Sequence, residues 1–448
     1  MQLTSTPTRA ERRSTASKVA LASCALLAAA PGALAGQGDA SASADRYQWT
    51  TRAAVLHYAE QGRIKVKQGS LAITGAKAKS TVQLNMGYDV VSGPSENGAL
   101  PAAEPQTFTS PSGKEDYTVA AGELPTYTID RHPRKEISLS KTDIVNSQYS
   151  VSYGARYSTE ATYVFRSANA GLTRNANKNN TQYALSVAYE DADITPYGGA
   201  VQPRTPVLNR TDFATEAAFN NAWQAQRDTR TLDRDAYSAV LGVTQVINRN
   251  AVVQLSYTGS YSSGYQNDAQ KLVSVIDPQG HVLANLHENR PQQRSKHSLF
   301  TRAKWHLDNA AVVDVNYRYF TDNWGVKSHT LGLGYQFHLS EKLKLEPQLR
   351  WYRQSRAEFF RHSVFADSQA SALAPQYLSA DYRLADTVNY TVGLNADYYL
   401  SNGHVLSARL AHYDINPKTD ASSVRGAWQG AAIMPSIRST IIAFSYEF

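Results

Sequence analysis

From residue 50 onward the chain alternates apolar and polar residues in run after run of about ten. Over 310–320 the odd positions read Val313, Val315, Tyr317 and Tyr319, against Val312, Asp314, Asn316 and Arg318 between them. Over 328–339 Leu331, Leu333, Tyr335, Phe337 and Leu339 face Ser328, Thr330, Gly332, Gly334, Gln336 and His338. Such a period means a strand with two unlike faces. One strand of this kind could close a soluble sandwich. Nearly all strands behave this way, and no run of helices is available to cover a second layer. An open sheet of that size would expose its edges, which closure removes. The pattern therefore predicts an all-β fold, a transmembrane antiparallel β-barrel of about 16 strands, within a range of 14–18.

The runs fall at 50–59, 63–73, 81–91, 134–145, 147–157, 161–171, 181–190, 234–247, 251–261, 296–307, 311–320, 326–339, 342–355, 387–400, 404–413 and 437–448. Connection lengths alternate with them. If the C-terminus is periplasmic, the short joints at 74–80, 146, 172–180, 248–250, 308–310, 340–341 and 401–403 share that side. The long connections at 92–133, 191–233, 262–295, 356–386 and 414–436 share the other. Short periplasmic turns with long external loops are the rule for outer-membrane barrels. Two short connections, at 60–62 and 321–325, also lie outside. Residues 92–133 are rich in Pro and Gly, and 212–230 have helical character inside an external loop.

Both termini fit export to a Gram-negative outer membrane. Arg9, Arg12, Arg13 and Lys18 precede an apolar run at 19–30, and Ala33-Leu34-Ala35 follows as a small-residue cleavage site. Residues 1–35 read as a signal peptide, with 36–49 a polar linker and 50–448 the barrel. A lipoprotein signal ending at Cys24 is the rival, with a short apolar core. Cys24 is the one cysteine, so the cleaved chain has neither disulfides nor thiolate ligands. At the other end Ile442, Phe444, Tyr446 and Phe448 share one face of the last strand and read as its lipid-facing membrane-assembly signal for the barrel-assembly machinery. Mean hydropathy of −0.43 is no obstacle, because a barrel strand is half polar. The 27 tyrosines suit interfacial girdles in contact with outer-membrane lipid. Formal charge is +7, and removing Arg9, Arg12, Arg13, Lys18 and Glu11 leaves +4, too little to imply nucleic-acid binding.

Five stretches carry a family resemblance: YDVVSGPSENGA at 88–99, QTFTSPSG at 106–113, YFTDNWGVKSHT at 319–330, SADYRLAD at 379–386, and the aromatic end. They resemble a bacterial family of unknown function, DUF3570, over residues from about 50 to the end. The resemblance implies a secreted outer-membrane protein. It brings no activity, cofactor or catalytic residue with it.

Chemistry is sparse. The sequence holds no Gly-x-Ser-x-Gly and no His-Glu-x-x-His, and none of His57, His297, His306, His329, His338, His404 or His412 stands in a catalytic motif. An enzyme is not expected, nor a cofactor or metal. HENRPQQRSKH at 287–297 has no ligand spacing and reads as a solvated, charged loop. The inward face is more informative. By the alternation Arg156, Arg166, Arg302, Lys304, Arg318, Arg350 and Arg409 point into the lumen, with Asp314, Glu346 and Asp397 opposing them. Lys342 and Lys344 would lie inward at the periplasmic end. Inward arginines and lysines favour anions in a pore. The same charges could equally pair and fill the barrel. The preferred reading is a porin-like channel or transport component for small polar or anionic solutes. A non-conducting barrel that docks a partner is the alternative, and an outer-membrane enzyme a third.

Overall fold

The structure, a computed structural model, describes residues 46–448 apart from Pro111, Asn309, 370–375, Ala432 and Pro435. The signal-peptide reading of 1–35 and most of the linker lie outside the described residues. Sixteen strands form one closed barrel in which every neighbour is the next strand in sequence. They are β1 (Gln48–Glu60), β2 (Lys65–Lys77), β3 (Ser80–Glu96), β4 (Thr126–Ile144), β5 (Tyr149–Glu160), β6 (Tyr163–Ala176), β7 (Thr181–Ile194) and β8 (Leu232–Asn248). β9 (Ala251–Gly264), β10 (Gln293–His306), β11 (Val312–Asp322), β12 (Lys327–His338), β13 (Leu343–Gln354), β14 (Thr387–Tyr399), β15 (Val405–Pro417) and β16 (Ile437–Glu447) complete the wall. Closure is antiparallel, from Arg52 opposite Glu447 to Glu60 opposite Ser439, with Val55 opposite Phe444.

Each of the sixteen runs read from the alternation is one of these strands. The first begins two residues earlier, so Gln48 and Trp49 belong to the wall and not to the linker. One end of the barrel carries short turns between paired strands; the other carries the five long connections. A third short connection joins the loop end, at 161–162 between β5 and β6.

The two faces separate as the pattern predicts. Across neighbouring strands Tyr189 opposes Tyr237, and Leu185 opposes Leu241. Leu333 opposes Leu349, which opposes Val392. Opposed residues share a face, and each of these is exposed although apolar. Such a continuous apolar surface is one that only hydrocarbon solvates well. Tyrosines mark its loop-end border at Tyr88, Tyr157, Tyr237 and Tyr390; Trp49, Trp305 and Phe448 mark the turn-end border. Ile442 and Phe444 face outward, and Tyr446 stacks on Phe448 at 5.3 Å between ring centroids.

The inner face is polar over the middle and turn end. Near the loop end it turns apolar, with Leu56, Tyr58, Val66, Val91 and Ala443 in one buried cluster. A bulge in β3 between Val91 and Gly93 adjoins this cluster. Gly93 has φ of 113°, and a Cβ there would lie 2.5 Å from the Arg63 carbonyl oxygen. Only glycine fits comfortably. The bulge brings Ser95 and Glu96 to buried positions.

A charge placed on the outer face at mid-strand should cost about 2–4 kcal/mol, whereas the same charge on the inner face should cost much less. Leu241→Arg and Ser256→Arg, on opposite faces of the β8–β9 hairpin, make the comparison. Equilibrium unfolding of both variants in liposomes measures it; equal losses would contradict the face assignment.

Candidate functional site

The long loops do not wave in solvent; they fold together into a cap over one mouth of the barrel. Its centre is a three-stranded sheet. Leu272–Ile276 pairs antiparallel with Val282–His287 and parallel with Ser363–Phe365. Every residue from Leu272 to Ile276 is buried, a run too apolar to stay in water. Other loops tie to it. The Leu100 amide donates to Ser274 Oγ at 2.8 Å, and the His362 amide donates to Ser423 Oγ at 3.0 Å. Leu100, Ile276, Phe360, Tyr382, Leu384, Val424 and Met434 form the cap's apolar core, which rests on Phe320 and Ile437 of the wall. Trp324, in the β11–β12 turn, packs edge-on to Phe359 at 4.9 Å and donates its indole N–H to the Gln293 carbonyl at 3.0 Å. Helix α1 (Glu216–Ala225) lies in the loop after β7, capped by the Thr215 side chain accepting from the Ala218 amide, within the stretch read as helical.

A ladder of buried charges joins wall to cap. Glu60 accepts from the Tyr58 hydroxyl at 2.7 Å and pairs with Arg63 Nε at 3.2 Å. Arg63 also pairs with Glu96, and the Lys271 ammonium donates to the Glu96 carbonyl. Within the cap Asp381 accepts from Arg290 at 2.9 Å and from Arg383 at 2.8 Å. Arg383 reaches on to Asp268 at 3.2 Å, and Arg290 pairs with Glu288 at 2.7 Å. Taking these charges from water is costly, so mutual pairing is what makes their burial tolerable. Burial alone would raise Asp381, yet Arg383, Arg290 and Lys271 hold it well below the usual carboxylate range. Glu288 is raised, chiefly by burial. Two histidines are held neutral: His362 down at about 4, by burial against the pull of Asp420, and His287 down at about 3, by burial with Arg227 adding.

Between cap and wall a cleft of about 310 Å³ remains along β4–β8. Arg134 and Arg234 reach it from the wall, Arg290, Arg383 and Asp268 from the cap, and Tyr197 from the loop between. Arg134 is neutralised by Asp89 at 2.8 Å. Arg234 donates to the Tyr163 hydroxyl at 2.5 Å and lies over that ring at 5.3 Å. Among the described residues it has no carboxylate within ion-pair distance.

The residues read from sequence as inward sit as follows. Arg302 and Lys304 both meet Asp314, Arg302 Nε at 2.9 Å and Lys304 at 3.5 Å. Arg156 pairs with Glu136 at 2.5 Å, and Asp397 with Lys344 at 2.7 Å. Glu346 accepts from Gln348 at 2.9 Å. Arg318 donates to Ser298 at 2.9 Å, Arg350 lies over Tyr352 at 5.4 Å, and Arg409 is at an intermediate depth with Nε unpartnered. Arg166 is the exception. It opposes Tyr157, shares that outward face, and pairs with Asp191 at 2.7 Å and Asp193 at 2.9 Å. The β5–β6 turn at 161–162 sets this parity, and Phe165, the strongly apolar neighbour, points inward instead. The solvated-loop reading of 287–297 is also corrected: His287, Glu288, Arg290 and Arg294 are buried, because this segment runs down from the cap sheet into β10. Sequence reasoning missed the cleft arginines and the ladder. The available signal was the apolar turn of the inner faces at Leu56, Tyr58, Val66, Val91 and Phe320.

Residues 16–448 match the family model described as protein of unknown function DUF3570. The chain belongs to this family. No curated protein matches the sequence. Among solved structures, a ferric enterobactin receptor mutant of Pseudomonas aeruginosa (PfeA) is similar at 12% identity and a TM-score of 0.42, over 83% of this chain and 54% of that one. The DUF3570 chain thus spans about half the length of that receptor. A bacterial polysaccharide outer membrane secretin is similar at 7% identity and a TM-score of 0.45, over 89% and 98% of the two chains. OccD3 (OpdP) of Pseudomonas aeruginosa gives 8% identity, a TM-score of 0.39, and 92% and 94% coverage. These likenesses concern the barrel and nothing finer.

Two outcomes test the cap. Asp381→Asn leaves Arg290 and Arg383 facing a neutral amide, and should weaken cap closure by about 3–5 kcal/mol. Faster amide exchange across 265–292 and 378–386, with the barrel strands unchanged, is the expected readout. Acid should loosen the cap as well. Depressed histidines bind protons in the open state first, so their contribution is full above about pH 6.5 and fades as pH falls toward 4. At pH 5 each should have lost about 2 kcal/mol. His362→Gln should flatten the pH dependence of exchange; an unaltered slope would remove His362 from this account.

Proposed function

We propose that this DUF3570 protein is an outer-membrane channel for small polar or anionic solutes, with the loop end outside and the cleft beside the cap as its entry. The protein acts as a conduit or transport component and not as an enzyme. The observation that carries the reading is the cleft: it lies against the inner face of the wall, beside the packed core of the cap, and presents Arg234, which has no carboxylate partner among the described residues. Below it, Arg318 and Arg350 line neighbouring rungs of the inner face without carboxylate partners among the described residues. Unpaired guanidinium groups in a low-dielectric wall favour anions over cations. Arg302 contributes less, because Asp314 cancels it. A folded cap makes transit slow and selective compared with a wide open pore.

The buried core of the cap favours one second reading, a barrel closed at rest that serves a docked partner. Planar-bilayer recording of the refolded mature chain separates the two. The channel reading expects small, anion-preferring conductance steps. It expects Arg318→Gln with Arg350→Gln to lower that preference, and loosening of the cap through Asp381→Asn to raise conductance. Silence from inserted, folded protein, with the cap variant silent too, would sink it in favour of the docking barrel.

A further inference from the structure

We propose that the outward loop-end face of β1–β5 is a docking surface for the phosphorylated glycolipid of the outer leaflet. The proposal rests on the orientation given above, loop end outside, and is independent of whether the barrel conducts. Its core is Lys65 and Lys67 on β2 with Lys135 on β4, all exposed. Register fixes their direction. Lys67 opposes Val90 on one side and His57 on the other, and Lys135 opposes the outward Tyr88. None of the three has a carboxylate within ion-pair distance among the described residues. Leaving aside 130–131, the described outward positions in the loop-end half of these five strands hold no carboxylate. The contrast with the inner face is sharp: Arg134, one residue before Lys135, points inward and is met by Asp89 at 2.8 Å and Glu136 at 3.7 Å.

The lysines also stand at the right height. Tyr88 and Tyr157 mark the border of the apolar belt; Lys135 lies level with Tyr88, and Lys67 and Lys65 lie beyond it toward the loops. Lipid headgroups occupy that level. Lys65 and Lys67 are two residues apart, roughly 7 Å along the strand, and Lys67 and Lys135 are two strands and two residues apart, roughly 12 Å. A cluster of that span fits a headgroup bearing more than one phosphate better than a single one. The barrel is charged unevenly around its rim. On β7 and β8 Asp191 opposes Asp235 and Asp193 opposes Asp233, with Arg166 bridging two of the four. Phosphate is repelled there, so binding is one-sided.

Native mass spectrometry of the full mature chain in non-ionic detergent tests this, with titrations of bis-phosphorylated lipid A, dephosphorylated lipid A and phosphatidylglycerol. Lipid A adducts should form on the wild type, fall by roughly a hundredfold in affinity in K65Q/K67Q/K135Q, and persist in D191N/D193N. Equal affinity in the triple variant would overturn the proposal, as would equal affinity for dephosphorylated lipid A. Phosphatidylglycerol binding as tightly as lipid A would also overturn it, by making the occupant an ordinary phospholipid. Dimers lost in both the lysine and the aspartate variants would identify a second copy as the occupant instead. A silent bilayer recording would sink the channel reading and leave these titrations untouched.

Discussion

Everything in this molecule depends on the pairing of β1 with β16. A backbone amide facing hydrocarbon without a partner costs several kcal/mol, so a sheet in a bilayer survives only if it has no edge. Val55 opposite Phe444 and Tyr58 opposite Ile441 remove the last one. Once the ring is closed, each strand presents one face to lipid and one to the interior, and the parity of every side chain is fixed. The apolar belt, the tyrosine borders and the polar lumen are then consequences of one hydrogen-bonded seam.

The cap solves a different problem. Its loops bring charge into a place where water is scarce. The structure meets that cost by chaining carboxylates and cations, from Glu60 through Arg63 and Glu96 to Lys271, and from Glu288 through Arg290 and Asp381 to Arg383. Apolar residues alone could fill the mouth, and buried ion pairs are poor stabilisers. Their presence makes cap closure sensitive to protonation and to any anion that competes for the arginines.

The barrel was legible because a period of two leaves little room for error once it recurs sixteen times. Loop lengths gave the two ends, and the terminal aromatic stripe gave the last strand's faces. Arg166 was misplaced for a physical reason. Near the loop end the outer face rises above hydrocarbon and tolerates Arg166, Asp191 and Asp193, while the inner face turns apolar to meet the cap, as at Phe165. Hydrophobicity therefore reverses its usual meaning along one strand. The ladder was illegible for another reason: Glu96, Lys271 and Asp381 lie far apart in sequence, and no local spacing announces that three loops meet. SADYRLAD was conspicuous as a motif, but its Asp381 and Arg383 acquire their role only from Arg290 and Asp268.

The cap has no chain-local version of itself. The contact of Leu100 with Ser274 spans 174 residues, and that of Ser363 with Ser423 spans 60. Closing such loops is entropically dear until their ends are already held near each other. The wall does the holding, since each of these loops springs from strands that the barrel fixes in place. Loop-closure entropy thereby favours an order in which the wall closes before the lid: until β1 meets β16, the ends of these loops are not held together.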